Sequence, residues 1–445
     1  MRPKQTVVTS WGQSRSAEMS VYRPERAAQI TAAVRAAASS GTIAAGDGRN
    51  YGDLGICDQG TAISMRRLDR IFAFDEEHGV VSVEAGVTFA ELQAFAAPRG
   101  FASPVAPGTA FATLGGGVAS DVHGKNHDLY GSLGQHIEWL DLILADGRQV
   151  RASHDELPDL FTATIGGCGL TGVIAAVGIR LLRQRSGAVE TREWRVRNLE
   201  HFFELMSEHR GQATYTVGWI DALQKGADLG RGIFQAAEPI EATGKEAVPR
   251  ALSVPFKFPN MTLNRYSVGL FNTLYYRRVP ADGRKRVVPD GAFHHPLDAI
   301  AHWNRLYGSG GFYQFQCVLP EASALQGIRR LLEEVSEAQA ASFLGVLKSF
   351  GPEGIGYLSF PMPGVTLSLD IPARPASGEL MRRLEAITLD HEGRIYLAKD
   401  ATMSAEAFAK MYPKLEQFRA VLEAFDPERV FDSDMARRLK IRPAS

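Results

Sequence analysis

The sequence predicts an α+β fold in two domains. At 445 residues the chain exceeds what one hydrophobic core usually organises. Up to about residue 180, short β-like runs alternate with amphipathic helical runs and are separated by glycine. After Arg183 the segments lengthen and become richer in aromatic residues. We therefore expect a domain of small mixed elements, followed by an antiparallel sheet flanked by helices.

In the first region the periodicity alternates between the two kinds of element. Thr88 can cap one helix, and Asp146-Gly147 indicates a hairpin turn. Helices are expected at residues 26–38, 89–97 and 155–165. Strands are expected at residues 42–45, 62–65, 80–84, 140–144 and 173–182.

In the second region, alternating patterns predict strands at residues 312–319 and 365–371, with helices at 321–338 and 378–389. The proline-containing stretch 237–264 is expected to be a long loop, and such loops are commonly functional. Residues 404–439 show two helical patterns around Asp426-Pro427.

Composition excludes several classes of protein. The 49 basic and 50 acidic side chains leave no excess of positive charge for binding nucleic acid. No apolar run has the roughly 20 residues of a membrane helix, and no apolar run follows the basic N-terminus as in a secretory signal. We expect a cytoplasmic protein. Peripheral contact with the inner membrane through a mobile loop remains an open alternative. The three cysteines are expected to be core thiols.

Three glycine clusters could bind a nucleotide. The cluster at residues 167–172 reads GCGLTG, which fits the pattern GxGxxG. A dinucleotide-binding fingerprint must follow a strand and open a helix, whereas here a helix precedes the cluster and a strand follows it. A nicotinamide site of the Rossmann type is therefore not expected there.

The cluster at residues 46–53 reads GDGRNYGD and follows a short strand without leading into a helix. Successive glycines allow a loop to present backbone N–H groups to phosphate oxygens. A simple turn between two strands explains the same pattern. Taken alone, the cluster does not decide between these two interpretations.

The third cluster runs from residue 107 to 117 and continues to His127. It is not a P-loop, because Ala119 and Asn126 stand where that motif needs glycine and serine or threonine. His123 and His127 could form a metal-binding pair, but Gly124 argues against a regular helix and no third ligand is evident. No metal is therefore expected.

Together the three clusters resemble the vanillyl-alcohol oxidase superfamily of flavoproteins, in which FAD lies between two α+β subdomains of the PCMH type. Within it the chain resembles the decaprenylphosphoryl-β-D-ribose 2′-oxidase family. The resembling strings occur in order along nearly the whole chain, at residues 48–53, 121–127, 169–172, 295–298, 303–305, 349–352, 398–400 and 433–439.

The resemblance implies that FAD is the cofactor. Related oxidases often attach the flavin to a histidine in the first loop, and Arg49 holds that place here, which implies non-covalent FAD. The positions matching the family's FAD-binding segments are Gly46, Asp47, Gly48, Arg49, Asn50, Tyr51, Gly52, Asp53, Gly108, Thr109, Thr113, Leu114, Gly115, Gly116, Ser120, Asp121, Val122, His123, Gly169, Gly172, Ile174 and Tyr396.

Oxidation of an alcohol requires removal of the hydroxyl proton, and a lysine of lowered pKa can accept it or stabilise charge near the flavin. Lys399 matches the family's active-site lysine and, with His123, is the expected catalytic residue. Gln314 and Gln316 alternate on one strand and should face one side, as should Ser368 and Asp370. The positions expected to bind substrate are Tyr51, Lys125, Tyr307, Gln314, Gln316, Lys348, Ser368 and Asp370.

Ser368 departs from the family pattern, because the mycobacterial members carry a cysteine at the matching position. Hydride transfer does not involve that thiol, so activity should survive the difference. Thiol-directed inhibitors, in contrast, should not trap this protein covalently.

By resemblance, the reaction is oxidation of a polyprenyl-phosphate-linked ribose at C2 to the keto sugar. A separate NAD(P)H-dependent reductase would complete an epimerisation towards an arabinose donor. The FAD domain would span residues 1–185 with 391–445 returning to it, and residues 186–390 would form the substrate domain. The alternatives are an oxygen-using alditol or aldonolactone oxidase that acts on free sugars, and a flavin-free carbohydrate-binding relative.

Overall fold

The computed structural model describes residues 2–37, 41–184, 187–241, 252–340 and 342–443. Its first layer is a four-stranded sheet in the order β1-β2-β4-β3, in which β1 and β2 are antiparallel and the other pairs are parallel. The elements are β1 (Lys4–Thr9), β2 (Ser16–Tyr22), α1 (Ala27–Ala37), β3 (Thr42–Ala45) and β4 (Thr61–Ser64).

A second, five-stranded antiparallel sheet follows in the order β5-β6-β10-β8-β9. Its central strand β10 is buried along nearly its whole length. The elements are β5 (Ile71–Asp75), β6 (Val80–Glu84), α2 (Phe89–Ala96), β7 (Phe101–Ala102), α3 (Leu114–Ala119), α4 (His127–Tyr130), β8 (Ile137–Ile143), β9 (Gln149–Ser153), α5 (Pro158–Thr164), β10 (Val173–Arg180) and β11 (Leu182–Arg183).

The third sheet has eight antiparallel strands in the order β16-β12-β14-β13-β19-β20-β18-β21. The elements of this part of the chain are β12 (Ala188–Val196), α6 (Leu199–His209), β13 (Tyr215–Ile220), β14 (Gly232–Ile240), β15 (Leu252–Ser253), α7 (Arg265–Arg277), β16 (Arg284–Pro289), α8 (Asp290–His294), β17 (Ile300–Ala301), β18 (Phe312–Leu319), α9 (Glu321–Glu337), β19 (Gly345–Phe350), β20 (Gly364–Pro372), α10 (Ser377–Asp390) and β21 (Arg394–Ile395). Of these strands, β15 and β17 form a separate parallel pair.

The two faces of this sheet differ in chemistry. Apolar side chains such as Phe315, Leu367 and Leu369 belong to the same core as the buried residues of α9 and α10. Because side chains alternate along a strand, the residues between them point to the opposite face. That opposite face carries the polar residues described below.

The chain ends with α11 (Ala405–Met411), α12 (Leu415–Phe425) and α13 (Asp434–Arg438). This segment returns to the first sheet, where the Asp434 amide donates to the carbonyl oxygen of Ile56 at 2.7 Å. Phe431 forms a parallel bridge with Thr42.

The α+β prediction is confirmed, as is the Thr88 cap, which accepts from the Glu91 amide. Two local predictions need correction. Residues 404–439 hold three helices, because the residue before Pro413 is disfavoured from helical geometry. The stretch 237–264 begins inside β14, which continues to Ile240 because it pairs with β12 and β13; its residues 242–251 lie outside the described ranges.

The expected domain boundary at residues 185 and 186 also falls outside the described ranges. Among the helices of the described residues, none combines the length and the apolar character needed to cross a bilayer.

Candidate active site

The loop at residues 46–53 presents unused backbone amides. Within the described part of the chain, no protein acceptor pairs with the amides of residues 47–50. Gly48 has φ +65°, and a Cβ there would meet nothing within 4 Å. The open glycine and the free amides suit an anionic group lying on the loop, as the pyrophosphate of FAD requires.

The Arg49 side chain is held by its neighbours. It binds Asp47 with Nε 2.8 Å from Oδ2, and its guanidinium lies 4.5 Å from the ring centre of Trp11 and 4.9 Å from that of Phe111. An arginine so placed offers no imidazole nitrogen for a covalent bond to flavin.

The second glycine segment, at residues 107–117, differs because its backbone amides at residues 114–116 donate hydrogen bonds within the protein. Thr113 caps α3 and accepts from the Gly116 amide at 3.2 Å, while the amides of Leu114 and Gly115 donate to Val87 and Ala85. The backbone of Gly116 is nevertheless exposed, as is that of Gly108 on the preceding turn next to Thr109. These residues offer a surface for FAD, whereas the amides of Leu114, Gly115 and Gly116 are already paired.

Two carboxylates expected in the cofactor segments are bound by protein groups. Asp53 makes two 2.8 Å bonds to Arg438, which also reaches Asp400 at 2.8 Å. Asp121 is fully buried and accepts from Ser132, Gly134 and Ser359 at 2.6–2.8 Å. Both carboxylates therefore anchor loops, and their oxygens are occupied.

The remaining expected cofactor positions lie in or beside this framework. Gly169 and Gly172 adopt positive φ, and Ile174 is buried on β10. Tyr396 stacks on Phe360 and donates to the carbonyl oxygen of Ser120 at 2.9 Å, and Val122 is half-buried.

Lys399 reaches the site because its loop is fastened to the first glycine loop. The Tyr51 amide donates to the carbonyl oxygen of Ala398 at 3.2 Å. Gly52 passes so close to Asp400 that a Cβ would lie 1.7 Å from its carbonyl oxygen. The Lys399 Nζ consequently lies 3.8 Å from the centre of the Tyr51 ring. Burial lowers the pKa of Lys399 to about 7, opposed by nearby Asp370.

His123 joins the glycine framework to the eight-stranded sheet. Its Nδ1 lies 2.9 Å from Lys348 Nζ, and its Nε2 lies 3.1 Å from Gln316 Nε2. The ring packs against Phe350 and Tyr396. Burial and then the positive charge of Lys348 hold the pKa of His123 well below its usual value, so the imidazole is neutral.

The polar face of the sheet forms as the alternation predicted. In the register Gln314 lies opposite Asp370, and Gln316 lies opposite Ser368. Asp370 accepts from Gln314 at 2.6 Å and from the Tyr307 hydroxyl at 3.0 Å. Burial raises the pKa of Asp370 to about 7, although these hydrogen bonds oppose the shift.

Two further lysines extend this face. Lys348 donates to the carbonyl oxygen of Gly124 at 2.8 Å, and Lys125 donates to that of Phe293. Burial lowers the pKa of both lysines to about 7, and for Lys348 the charge of Lys125 adds to the effect. Lys348 is buried, and Lys125 and Lys399 are half-buried. The charges of Lys125 and Lys399 both act on Lys348, so the three amines lie close together.

Some residues of the site had no role assigned from the sequence. Thr366 shares the face of Ser368 and lies 3.3 Å from the Gln316 amide nitrogen, which the strand alternation could have shown. Asp298 accepts from the Ala110 amide at 2.7 Å. Asp298 and Arg438 each lie inside one of the strings that resemble the family, at residues 295–298 and 433–439. His127 accepts from the Gly351 amide and so supports the fold.

Two family models match this chain. The FAD binding domain family matches residues 20–153, and the D-arabinono-1,4-lactone oxidase family matches residues 366–439. The decaprenylphosphoryl-beta-D-ribose oxidase of Mycolicibacterium smegmatis is 35% identical over 97% of this chain and 96% of its own length.

More distant relatives include the L-gulono-1,4-lactone dehydrogenase of Mycobacterium tuberculosis, 22% identical over 97% of this chain and 98% of its own length. The L-gulonolactone oxidase of Mus musculus is 29% identical over 31% of each chain. Identity of 35% along nearly the whole chain, with the FAD-binding match, settles the family. The chain is an FAD-dependent oxidoreductase that belongs to the decaprenylphosphoryl-β-D-ribose oxidase family.

Proposed function

We propose that this protein oxidises the C2 hydroxyl of a ribose linked to a polyprenyl phosphate and releases the 2-keto sugar. The observation that carries the substrate class is the pair of amines of Lys125 and Lys348, which lies beside the amide side chains of Gln314 and Gln316. Buried amines are stabilised as cations when an anion enters the pocket. A phosphate-bearing sugar brings that anion, whereas a free polyol or lactone does not.

FAD, when bound, supplies the acceptor for the hydride that leaves C2. The protein must take the hydroxyl proton, and we assign that step to Lys399, since an amine whose pKa is about 7 is substantially neutral at physiological pH. The Tyr51 ring, 3.8 Å away, then stabilises the ammonium that forms.

His123 and Gln316 position the substrate in this proposal. Both ring nitrogens of the neutral His123 imidazole face protein groups, so the ring adds no charge and holds the Lys348 and Gln316 side chains in position for the substrate. Gln314, Asp370 and Tyr307 form a connected hydrogen-bond network on the same wall, with Ser368 half-buried beside it. Hydroxyl groups of a pentose can exchange with these partners.

We further propose that the 2-keto product passes to a separate NAD(P)H-dependent reductase, which would complete an epimerisation. The FAD would be non-covalent and held by the segments at residues 46–53, 108–116, 120–123 and 169–174. We keep the division into an FAD domain (1–185 with 391–445) and a substrate domain (186–390) as part of the proposal. The returning segment's bonds to Asp53 and Ile56 support it.

The test is anaerobic reduction of the bound flavin by a panel of sugars. We expect polyprenyl-phosphoryl ribose to bleach the flavin, and free ribose, xylitol and aldonolactones to leave it oxidised. Fast bleaching by a free lactone or polyol, with peroxide formed in air, would instead select the lactone oxidase alternative that the match at residues 366–439 suggests. Acid precipitation should release FAD into the supernatant, because Arg49 offers no covalent link.

A further inference from the structure

Helix α7 carries apolar side chains on both of its sides. On the inner side Val268 and Asn272 are buried, and the Asn272 amide donates to Asp221 at 2.7 Å. On the outer side Tyr266, Leu270 and Leu274 recur every four residues and are 72%, 64% and 63% exposed. Residues four apart lie one above another on a helix, so these side chains form a continuous stripe.

The stripe extends beyond these three residues. Phe271 is 45% exposed on the helix, and Met261 is 78% exposed on the turn before it. We call Met261, Tyr266, Leu270, Phe271 and Leu274 the α7 face. A contiguous exposed apolar patch on a folded protein marks an interaction surface.

Among the described residues, the contacts that hold the helix in place are its N-terminal cap and the hydrogen bonds on its inner side. Asn264 accepts from the amides of Tyr266 and Ser267, and the Ser267 hydroxyl accepts from the Asn264 amide in return. On the inner side Asp221 also binds Arg231 at 2.9 Å. The helix that carries the α7 face is therefore capped at its N-terminus and anchored on its inner side.

The segment of the chain that carries α7 is rich in basic residues. Residues 252–289 contain seven lysines and arginines and one acidic residue, Asp282. Three of the arginines pair with buried Glu193, but Lys257, Arg265 and Arg277 are exposed. Apolar side chains bordered by basic ones fit a membrane surface that contains anionic lipid.

A second copy of the chain fits this surface less well. The α7 face has five apolar side chains, whereas a stable interface uses about 20–30 residues on each side. Copies meeting through their α7 faces would also bring the same basic residues together.

The α7 face lies close to the substrate pocket. The Phe271 ring centre is 5.7 Å from that of Phe343, which is 6.0 Å from that of Tyr307. The Tyr307 hydroxyl donates to Asp370 on the polar face of the eight-stranded sheet. We propose that the α7 face docks on an anionic phospholipid bilayer, so that the pocket receives the sugar of a lipid-linked substrate whose chain stays in the membrane. The second half of this statement rests on the proposed function.

The test is flotation of the FAD-loaded full-length protein with vesicles of phosphatidylcholine alone or mixed with phosphatidylglycerol. We expect binding to the mixed vesicles that weakens with salt, and at least a tenfold loss in Leu270→Ser/Leu274→Ser. Arg265→Glu/Arg277→Glu should also lose binding. The matched control is Phe72→Ser, which removes a 55% exposed aromatic side chain from β5 and should bind like the unchanged protein.

Absence of vesicle binding, or equal binding to neutral and anionic vesicles, would overturn the proposal. So would an equal loss in Phe72→Ser, or a dimer that only Leu270→Ser/Leu274→Ser dissociates. Retained flavin absorbance in each variant checks that the fold is intact. Vesicle binding without flavin reduction by any polyprenyl-phosphoryl pentose would leave docking supported and reject the proposed function alone.

Discussion

The proposed FAD loops and the proposed substrate wall hold buried charge in different ways. The substrate wall is the polar face of β18, β19 and β20 together with Lys125 and Lys399. In the loops, Asp53 is bound by Arg438, and Asp121 accepts three hydrogen bonds. On the substrate wall, burial shifts the pKa of three lysines down to about 7 and that of Asp370 up to about 7. Burial also raises the pKa of Asp121, although its three hydrogen bonds oppose the shift. The carboxylates of the first region nevertheless have protein partners for their oxygens, whereas the amines of the second region would be stabilised by an anionic ligand.

This difference follows from what each region binds with. The first glycine loop offers backbone amides, which are neutral and cost little to hold in place before the cofactor arrives. The wall offers amines, and a buried amine without a partner shifts its pKa and becomes neutral. A neutral amine is also what proton abstraction from an alcohol requires.

The largest expected effect comes from removing the proposed base. Lys399→Met keeps a long apolar side chain beside Tyr51, so FAD should stay bound while the rate of flavin reduction falls about 10²–10⁴-fold, the usual contribution of a positioned acid or base. Stopped-flow flavin reduction and flavin content measure the two quantities. Lys410→Met, on α11, is the matched control and should keep the normal rate.

If Lys399→Met reduced flavin at the normal rate, the assignment of the base would be wrong. Because the pKa of Lys399 is lowered to about 7 and the base must be neutral, the rate in the unchanged protein should rise as pH increases through about 7 and level off above it. A rate that falls over the same range would instead indicate that Lys399 acts as a cation.

The next effect tests whether Arg438 holds the first glycine loop in place. Arg438→Met leaves Asp53 and Asp400 buried without their shared partner. Breaking such a pair typically costs about 3–5 kcal/mol of the free energy of unfolding, and the first glycine loop should loosen its hold on FAD. Denaturant unfolding and flavin content measure both effects.

The control for that variant is Arg382→Met, which removes an exposed i,i+3 partner of Glu379 and should change neither quantity. Equal behaviour of the two variants would show that Arg438 does not hold the loop.

The contacts of Arg438 are of a kind that cannot be predicted from the sequence. Short-range periodicity predicted β18 with its paired glutamines and β20 with Ser368 and Asp370, because alternation is a local property. The pairing of Asp53 with Arg438 joins residues 385 positions apart, which no local pattern encodes. The pairing of the backbone amides at residues 114–116 could not be predicted either, because glycine spacing does not show which amides donate to other parts of the protein.

Helix α7 was not predicted for a related reason. Its apolar residues lie on two sides, with Val268 facing in and Leu270 and Leu274 facing out, so a single apolar stripe is absent. Sequence patterns predict helices well when only one face is buried.

A smaller effect tests the coupling on the substrate wall. The charge of Asp370 raises the pKa of Lys399, so Asp370→Asn should lower that pKa further and move the rising limb of the rate profile to lower pH. Other titratable groups facing this pair are Tyr51, Tyr307, His123 and Lys348, and none of them is changed. Loss of the limb altogether would assign it to ionisation of Asp370, and no movement would show that the two groups are not coupled.

The smallest effect on rate is expected at Ser368, which is half-buried on the wall. Ser368→Cys nearly conserves volume, and Ser368 takes no part in the proposed proton or hydride transfer, so the rate of flavin reduction should stay close to normal. A thiol-directed inhibitor activated in the pocket should then add to residue 368 of the variant and to no residue of the unchanged protein. Burial raises the pKa of Cys57 to about 11 and that of Cys168 and Cys317 to about 12, which makes the natural thiols unreactive. Intact mass and peptide mapping read the result, and an adduct on the unchanged protein would contradict it.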